Sequence, residues 1–207
     1  MSSIKNCLCL LLAATLFSCQ PNYVPKPSAY YRIDFPEKEY RLYDSICPFT
    51  FEYPVYGRLV SRPDSACWLD ITFPGYKATI HLTYMKISDF DLFIEENQKM
   101  IYSGIAQKAD AVLLHEYVIP EQKIYGTIYD IKGNAASSVQ FFATDTVKNL
   151  LRGSLYFSTK PNQDSLAPVI AFFREDMIHL IESIHWKEEN GKTILNLIQN
   201  KNRTSKN

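Results

Sequence analysis

The chain has 207 residues, with 22 Lys and Arg balanced against 22 Asp and Glu. Balanced charge gives no bias toward nucleic acid or an anionic membrane surface. Once an apolar leader is set aside, the remaining chain suffices for one domain with a substantial core but hardly for two.

The leader comes first. Lys5 precedes an apolar run from Cys7 to Phe17, and Leu16-Phe17-Ser18-Cys19 follows at its end. The run is about half the roughly 20 residues that a membrane-spanning helix needs, and a small residue directly before a cysteine suits lipoprotein signal processing. Residues 1–18 are therefore read as a lipoprotein signal peptide, with Cys19 as the lipid-bearing residue. Phe17 departs from the small residue usual two places before such a cysteine. The alternatives are an ordinary cleaved signal, which would show a small-x-small site, and an uncleaved anchor, which the length argues against. A lipoprotein cysteine that carries three acyl chains, palmitate among them, holds its protein firmly, because one chain alone gives only marginal attachment.

Residues 19–40 read as a lipidated, Pro- and Tyr-rich tether and N-terminal segment. Pro21, Pro25 and Pro27 block helix and favour an extended spacer. Gln20 is not acidic, so by the aspartate rule for inner-membrane retention, transfer to the outer membrane is favoured. No acidic residue precedes Asp34, so an acidic surface-export cluster is not expected. These features point to the inner leaflet of the outer membrane, facing the periplasm. Tyr23, Tyr30, Tyr31, Phe35 and Tyr40 precede the first clear strand and must either dock on the domain or meet a partner.

With Cys7 and Cys9 in the leader and Cys19 lipidated, Cys47 and Cys67 remain. In an oxidising compartment they are expected to pair, a bridge contributing about 3 kcal/mol for a loop of this size. The alternative is two separately buried thiols.

Strand signals follow at residues 49–53, 67–73 and 78–84, rich in aromatic and β-branched residues and cut by Pro54, Pro63 and Pro74-Gly75. The last two form an expected hairpin. Ser88-Asp89-Phe90-Asp91 reads as an N-cap, and Phe90, Phe93, Ile94, Met100, Ile101 and Ile105 recur at helical spacing, predicting a helix over about 88–107. Further strands are predicted at 112–118, 123–131, 138–144 and 153–158, with short connections that indicate antiparallel neighbours. A closing helix, capped by Asp164 or Ser165 with Pro168 in its first turn, carries an apolar stripe to about Trp186. The domain, residues 41–186, is then α+β: a mainly antiparallel sheet of about six or seven strands packed by two long amphipathic helices. Its element order resembles the Mog1/PsbP type of sandwich. Residues 187–207 form a polar tail with five basic residues against two acidic ones.

Chemistry-bearing constellations are sparse. The four histidines, His81, His115, His179 and His185, show no metal or triad spacing, and neither metal nor cofactor is expected. The small, polar loop Lys132–Ser138 could be a turn, an interaction surface around Asn134, or a site with Ser137 as nucleophile. It lacks the G-x-S-x-G elbow of a serine hydrolase.

Across the chain, Cys19, Tyr30–Pro36, Cys47–Tyr53, Cys67–Ile71, Gly133–Ser137, Gly153–Phe157 and Lys160–Asn162 together resemble the GldD family of gliding-motility lipoproteins. The resemblance implies an envelope lipoprotein needed for gliding and for type IX secretion, with other gliding or secretion lipoproteins and envelope proteins as partners and with no known enzymatic activity. The leading expectation is a non-catalytic interaction protein that uses its sheet surface, Tyr30, Tyr31, Asn134 and Ser137. A periplasmic small-ligand or cell-wall-fragment binding module with an aromatic cleft is the alternative.

Overall fold

Leu69, Ile71 and Phe73 are buried, while Trp68, Asp70 and Thr72 between them are half-exposed. That period of two marks a strand with one face on a core. The computed structural model describes residues 33–63, 67–100, 109–133, 135–159 and 163–187. The described residues from Asp34 onward belong to one unit.

In chain order the elements are β1 (Tyr40–Asp44), β2 (Phe49–Pro54), β3 (Arg58–Ser61), β4 (Trp68–Phe73), β5 (Ala78–Lys86), α1 (Phe90–Met100), β6 (Ala111–Ile119), β7 (Ile124–Lys132), β8 (Ser137–Thr144), β9 (Asn149–Phe157), α2 (Gln163–Glu182) and β10 (His185–Trp186). Seven strands form one sheet in the order β3-β4-β5-β9-β8-β7-β6, and β1-β2-β10 form a second, three-stranded sheet. Every pairing is antiparallel. The expected α+β class holds; β1 and β10 in the small sheet and β3 at the edge of the large one are additional to the strands read from the sequence.

The hairpins β4–β5 and β6–β7 close in the same way. Pro74–Tyr76 and Pro120–Gln122 each make a single 3-10 turn that ends on a left-handed lysine, Lys77 (φ 51°) or Lys123 (φ 55°). Proline presets the first turn dihedral, and each lysine amide donates back to the proline carbonyl at 3.2 and 3.1 Å.

One face of the large sheet carries the main core. Leu69, Ile71, Ile80, Leu82, Val139, Phe141, Leu151 and Leu155 are buried there, and α2 covers them with Phe173, Met177, Leu180 and Ile181. Phe73 and Phe173 meet at 4.4 Å between ring centroids. Gly153 lies opposite Phe141 in the β8–β9 register, and a Cβ there would sit 2.0 Å from the Phe141 ring. The aromatic ring occupies the space that glycine leaves. A smaller core on the other face is built where α1 lays Phe93 edge-on against Phe142 at 5.2 Å, beside Tyr129, Ile131 and Leu150.

Helix limits differ from the sequence reading. Asp89, one residue after Ser88 at the head of the expected capping box, caps α1 by accepting the Leu92 amide at 3.0 Å, and residues 101–108 of the predicted helix lie outside the described residues. At the other end, α2 stops at Glu182 rather than at Trp186. The Ser183 hydroxyl donates to the Leu180 carbonyl and accepts the Glu52 amide at 2.9 Å, which turns the chain so that His185 and Trp186 pair with Thr50 and Phe49. Pro168 sits in the second turn of α2, since the helix begins at Gln163.

Three polar ties fasten remote segments. Cys47 is bonded to Cys67 with Cα atoms 5.6 Å apart, joining the β1–β2 turn to the start of β4. Asp130 of β7 accepts Arg174 of α2 at 2.7 Å and faces His115 of β6 at 3.2 Å. The third is centred on the buried Asp176 of α2, which accepts Lys38 at 2.7 Å, the Tyr40 hydroxyl at 3.0 Å and the Tyr56 hydroxyl at 2.7 and 2.8 Å. Lys38 also stands 3.4 Å over the Phe172 ring, on which Phe35 stacks at 4.3 Å. Of the N-terminal aromatics, Phe35 and Tyr40 therefore dock, Tyr40 stacking on His179 at 3.6 Å.

Asp176→Ala would strand a part-buried ammonium and two phenols, and is expected to cost about 3 kcal/mol in urea unfolding. A loss under about 1 kcal/mol would contradict the arrangement. Burial, and then the Asp176 carboxylate, push both phenol pKa values well above the tyrosine norm. Raised folded values mean that the cluster's contribution is intact below the unfolded phenol value near 10 and is lost as the pH climbs above it.

The β8–β9 turn makes an opposite pH prediction. Burial alone would raise the Asp145 carboxyl, yet the amides of Asn149, Lys148 and Val147, at 2.8, 2.8 and 3.0 Å, hold it below its usual range. Asp145→Ala is expected to lose about 2 kcal/mol at pH 7. The gap to wild type should close as the pH falls below about 4, because a depressed carboxylate stabilises only while ionised.

Candidate functional site

Strand alternation that buries one face of the large sheet must display the intervening residues on the other. The register aligns Asp70 of β4, His81 of β5, Ser154 of β9 and Gln140 of β8 in one row, and Thr83, Arg152 and Phe142 in the next. Of these, His81, Thr83, Gln140, Arg152 and Ser154 line an open groove of about 580 Å³, together with Arg62 after β3 and with Met85, Met100 and Tyr156. His81 Nδ1 lies 2.6 Å from Asp70, whose other oxygen is 3.9 Å from Arg62.

Beyond α1 the same face holds a second recess of about 430 Å³, where Ile94, Val112, Leu114 and Phe142 are joined by the polar Asn97, Gln98, Asp110, Glu116, Thr127 and Tyr129. Asn97 stands between the two spaces. Its amide donates to the Tyr129 hydroxyl at 2.9 Å, and its carbonyl accepts Arg152 at 3.2 Å. Burial pushes the Arg152 guanidinium pKa down.

The recess is walled on its outer side by β6, an edge strand of the large sheet. All nine residues of β6 pair with β7 without a register break, and among the described residues no strand pairs with its other side. Leu113 is 49% exposed, Leu114 55% and Val118 60%. Leu113 lies on one face of the strand, while Leu114 and Val118 lie on the other. An apolar edge open on both faces is a template for strand addition.

The residues singled out in the sequence are distributed unevenly. Cys19, Tyr30, Tyr31 and Asn134 lie outside the described residues. Gly133, beside Asn134, has φ 95°, a conformation that favours glycine. Ser137 opens β8 at a register shift. It is 4% exposed, and its hydroxyl donates to the Val139 carbonyl at 3.2 Å. A buried hydroxyl committed to backbone offers neither an attacking oxygen nor a contact surface, which corrects both expectations placed on Ser137. His81, His115 and His179 each face a carboxylate, of Asp70, Asp130 and Glu52, and His185 Nδ1 meets the Ser183 carbonyl at 2.9 Å. Among the described residues no three His, Cys, Asp or Glu side chains are grouped to hold a metal ion, and no helix is long and apolar enough to cross a membrane.

Sequence reasoning did not find Arg152, Asn97 or the β6 edge. Arg152 lies in the Asn149-Leu-Leu-Arg stretch, where alternation is broken. Leu113 and Leu114 fall only in a predicted strand, and sequence alone does not tell an edge strand from a central one.

No curated protein matches the chain. Among solved structures, the solution structure of cyanobacterial PsbP (CyanoP) from Synechocystis sp. PCC 6803 is similar at 11% identity, with a TM-score of 0.44 over 79% of this chain and 99% of that one. The family model described as gliding motility lipoprotein GldD matches residues 20–186, and the chain belongs to that family.

Proposed function

We propose that this lipoprotein supports gliding and the type IX secretion machinery as a non-catalytic interaction module, with the β6 edge as its main contact. Membership of the family supports a gliding-associated, lipid-anchored place in the cell envelope. The finer reading is that residues 1–18 are removed, that Cys19 carries the lipid in the inner leaflet of the outer membrane, and that the domain faces the periplasm with Cys47 and Cys67 oxidised. Tyr30, Tyr31 and Asn134 extend the contact surface.

The observation that carries this reading is the β6 edge, which no other strand of the described residues covers, beside the recess of about 430 Å³. An extended segment of another envelope protein would pair its backbone with β6 and place an apolar side chain near Leu114 and Ile94. Main-chain pairing gives affinity in such complexes, and the side-chain recess gives selectivity.

The paired substitution Leu113→Lys and Val118→Lys tests this on both faces of the strand. Both positions are exposed, so stability should change by no more than about 0.5 kcal/mol per site. Crosslinked co-purification from detergent-solubilised envelopes is expected to recover gliding or secretion proteins with wild type and to lose them with the double variant, along with gliding and secretion. Cys19→Ala should lose them through misplacement alone. Unchanged recovery and motility in the folded double variant would overturn the β6 assignment, and recovery of only a second copy would replace the envelope partner by self-association.

A further inference from the structure

Three part-buried cations in this fold come with carboxylates. Lys38 has Asp176 at 2.7 Å, Arg174 has Asp130 at 2.7 Å and Lys187 has Asp44 at 2.6 Å. Arg152 breaks the pattern. Its guanidinium reaches the Asn97 carbonyl at 3.2 Å and the Met100 sulfur at 3.5 Å, and no carboxylate of the described residues lies within ion-pair distance. Both contacts are weak for a group with five donors in a planar fork that matches an oxyanion.

The rest of the groove reinforces this. Arg62 brings a second guanidinium, only loosely paired with Asp70 at 3.9 Å, whose other oxygen His81 meets at 2.6 Å. Thr83, Gln140 and Ser154 supply neutral donors and acceptors along the floor. The volume, about 580 Å³, lies within the range of small-ligand sites.

We propose that this groove binds a small polyhydroxylated ligand bearing an oxyanion, carboxylate or phosphate, with Arg152 as the central contact and Arg62 at the rim. An incoming anion would supply the countercharge that the fold withholds from Arg152, and the ligand hydroxyls would meet Thr83, Gln140 and Ser154. The site is separate from the β6 edge, so it stands or falls independently of the partner interface.

Calorimetric titration of the full lipidated chain in neutral detergent, at fixed ionic strength, tests it with three probes that share one ring: glucose, glucuronate and glucose 1-phosphate. At least one anionic sugar is expected to bind ten-fold or more tighter than glucose. Preference for glucuronate identifies a carboxylate ligand, and preference for glucose 1-phosphate identifies a phosphate ligand. Arg152→Gln and the rim variant Arg62→Gln should each weaken the preferred anion at least five-fold, and Arg152→Lys should retain part of the binding. The Leu113→Lys, Val118→Lys double variant should bind as wild type does. Equal affinity for all three sugars, no measurable binding of any, or unchanged binding in a folded Arg62→Gln protein would overturn the proposal. Should Arg152→Gln fail to fold, the Arg62→Gln and Arg152→Lys titrations still decide the matter.

Discussion

Alternation of apolar and polar side chains along β4, β5, β8 and β9 is the constraint on which this structure depends. A strand has a period of two, so each apolar residue committed to the core commits its neighbour to the opposite face. Leu69, Ile71, Ile80, Leu82 and Leu155 cannot reach Phe173 and Met177 without sending Asp70, His81, Thr83 and Ser154 outward. A slip of one residue would exchange the two sets. The burial that stabilises the domain also assembles the polar groove, from residues spread over nearly the whole folded sequence. α1 then covers only part of this outer face, leaving the groove on one side and the recess on the other.

Polar ties complement this core where apolar burial cannot specify position. The N-terminal segment has few apolar residues, and its docking rests on Phe35, Lys38 and Tyr40. A buried carboxylate is costly unless charge and hydrogen bonds surround it. Asp176 has an ammonium on one side and two phenols on the other, so it stabilises only when Lys38, Tyr40 and Tyr56 are all in place. The same residues fix where the chain enters the domain, with the Tyr76 hydroxyl donating to the Asp34 carbonyl at 3.1 Å.

Elements with strong periodicity were legible in the sequence, and those formed by context were not. β4, β5 and the middle of α2 show regular alternation or a helical stripe, and each was found within a few residues. β1 and β3 expose most of their side chains, so they carry no apolar signal, and β10 exists only because Ser183 redirects the chain toward β2. The sites were less legible because their residues meet only in the fold. Lys38 and Asp176 are 138 positions apart, and Asn97 and Arg152 are 55 apart. No spacing rule reaches over such distances. Ser137 shows the converse error: a serine in a small polar loop looks accessible in sequence, but the register shift at the start of β8 turns it inward.

The two edges of the large sheet sharpen the functional reading. β3 is four residues long, begins at Arg58 and is followed by Arg62 and Pro63, features that blunt pairing with another chain. β6 has none of these devices. It runs for nine residues with one acidic side chain, Glu116, no lysine, no proline and no bulge, and it exposes leucine or valine on both faces. Left bare, such an edge favours aggregation. A fold that protects one edge and, among the described residues, leaves the other unpaired fits the proposed cover of that edge by an envelope partner. The adjacent recess agrees, because a strand added there would bury apolar surface as well as satisfy its backbone. Stability and the proposed interaction thus share one origin: β7 holds β6 in register along nine pairs, with His115 facing Asp130, while no strand of the described residues pairs with its outer side.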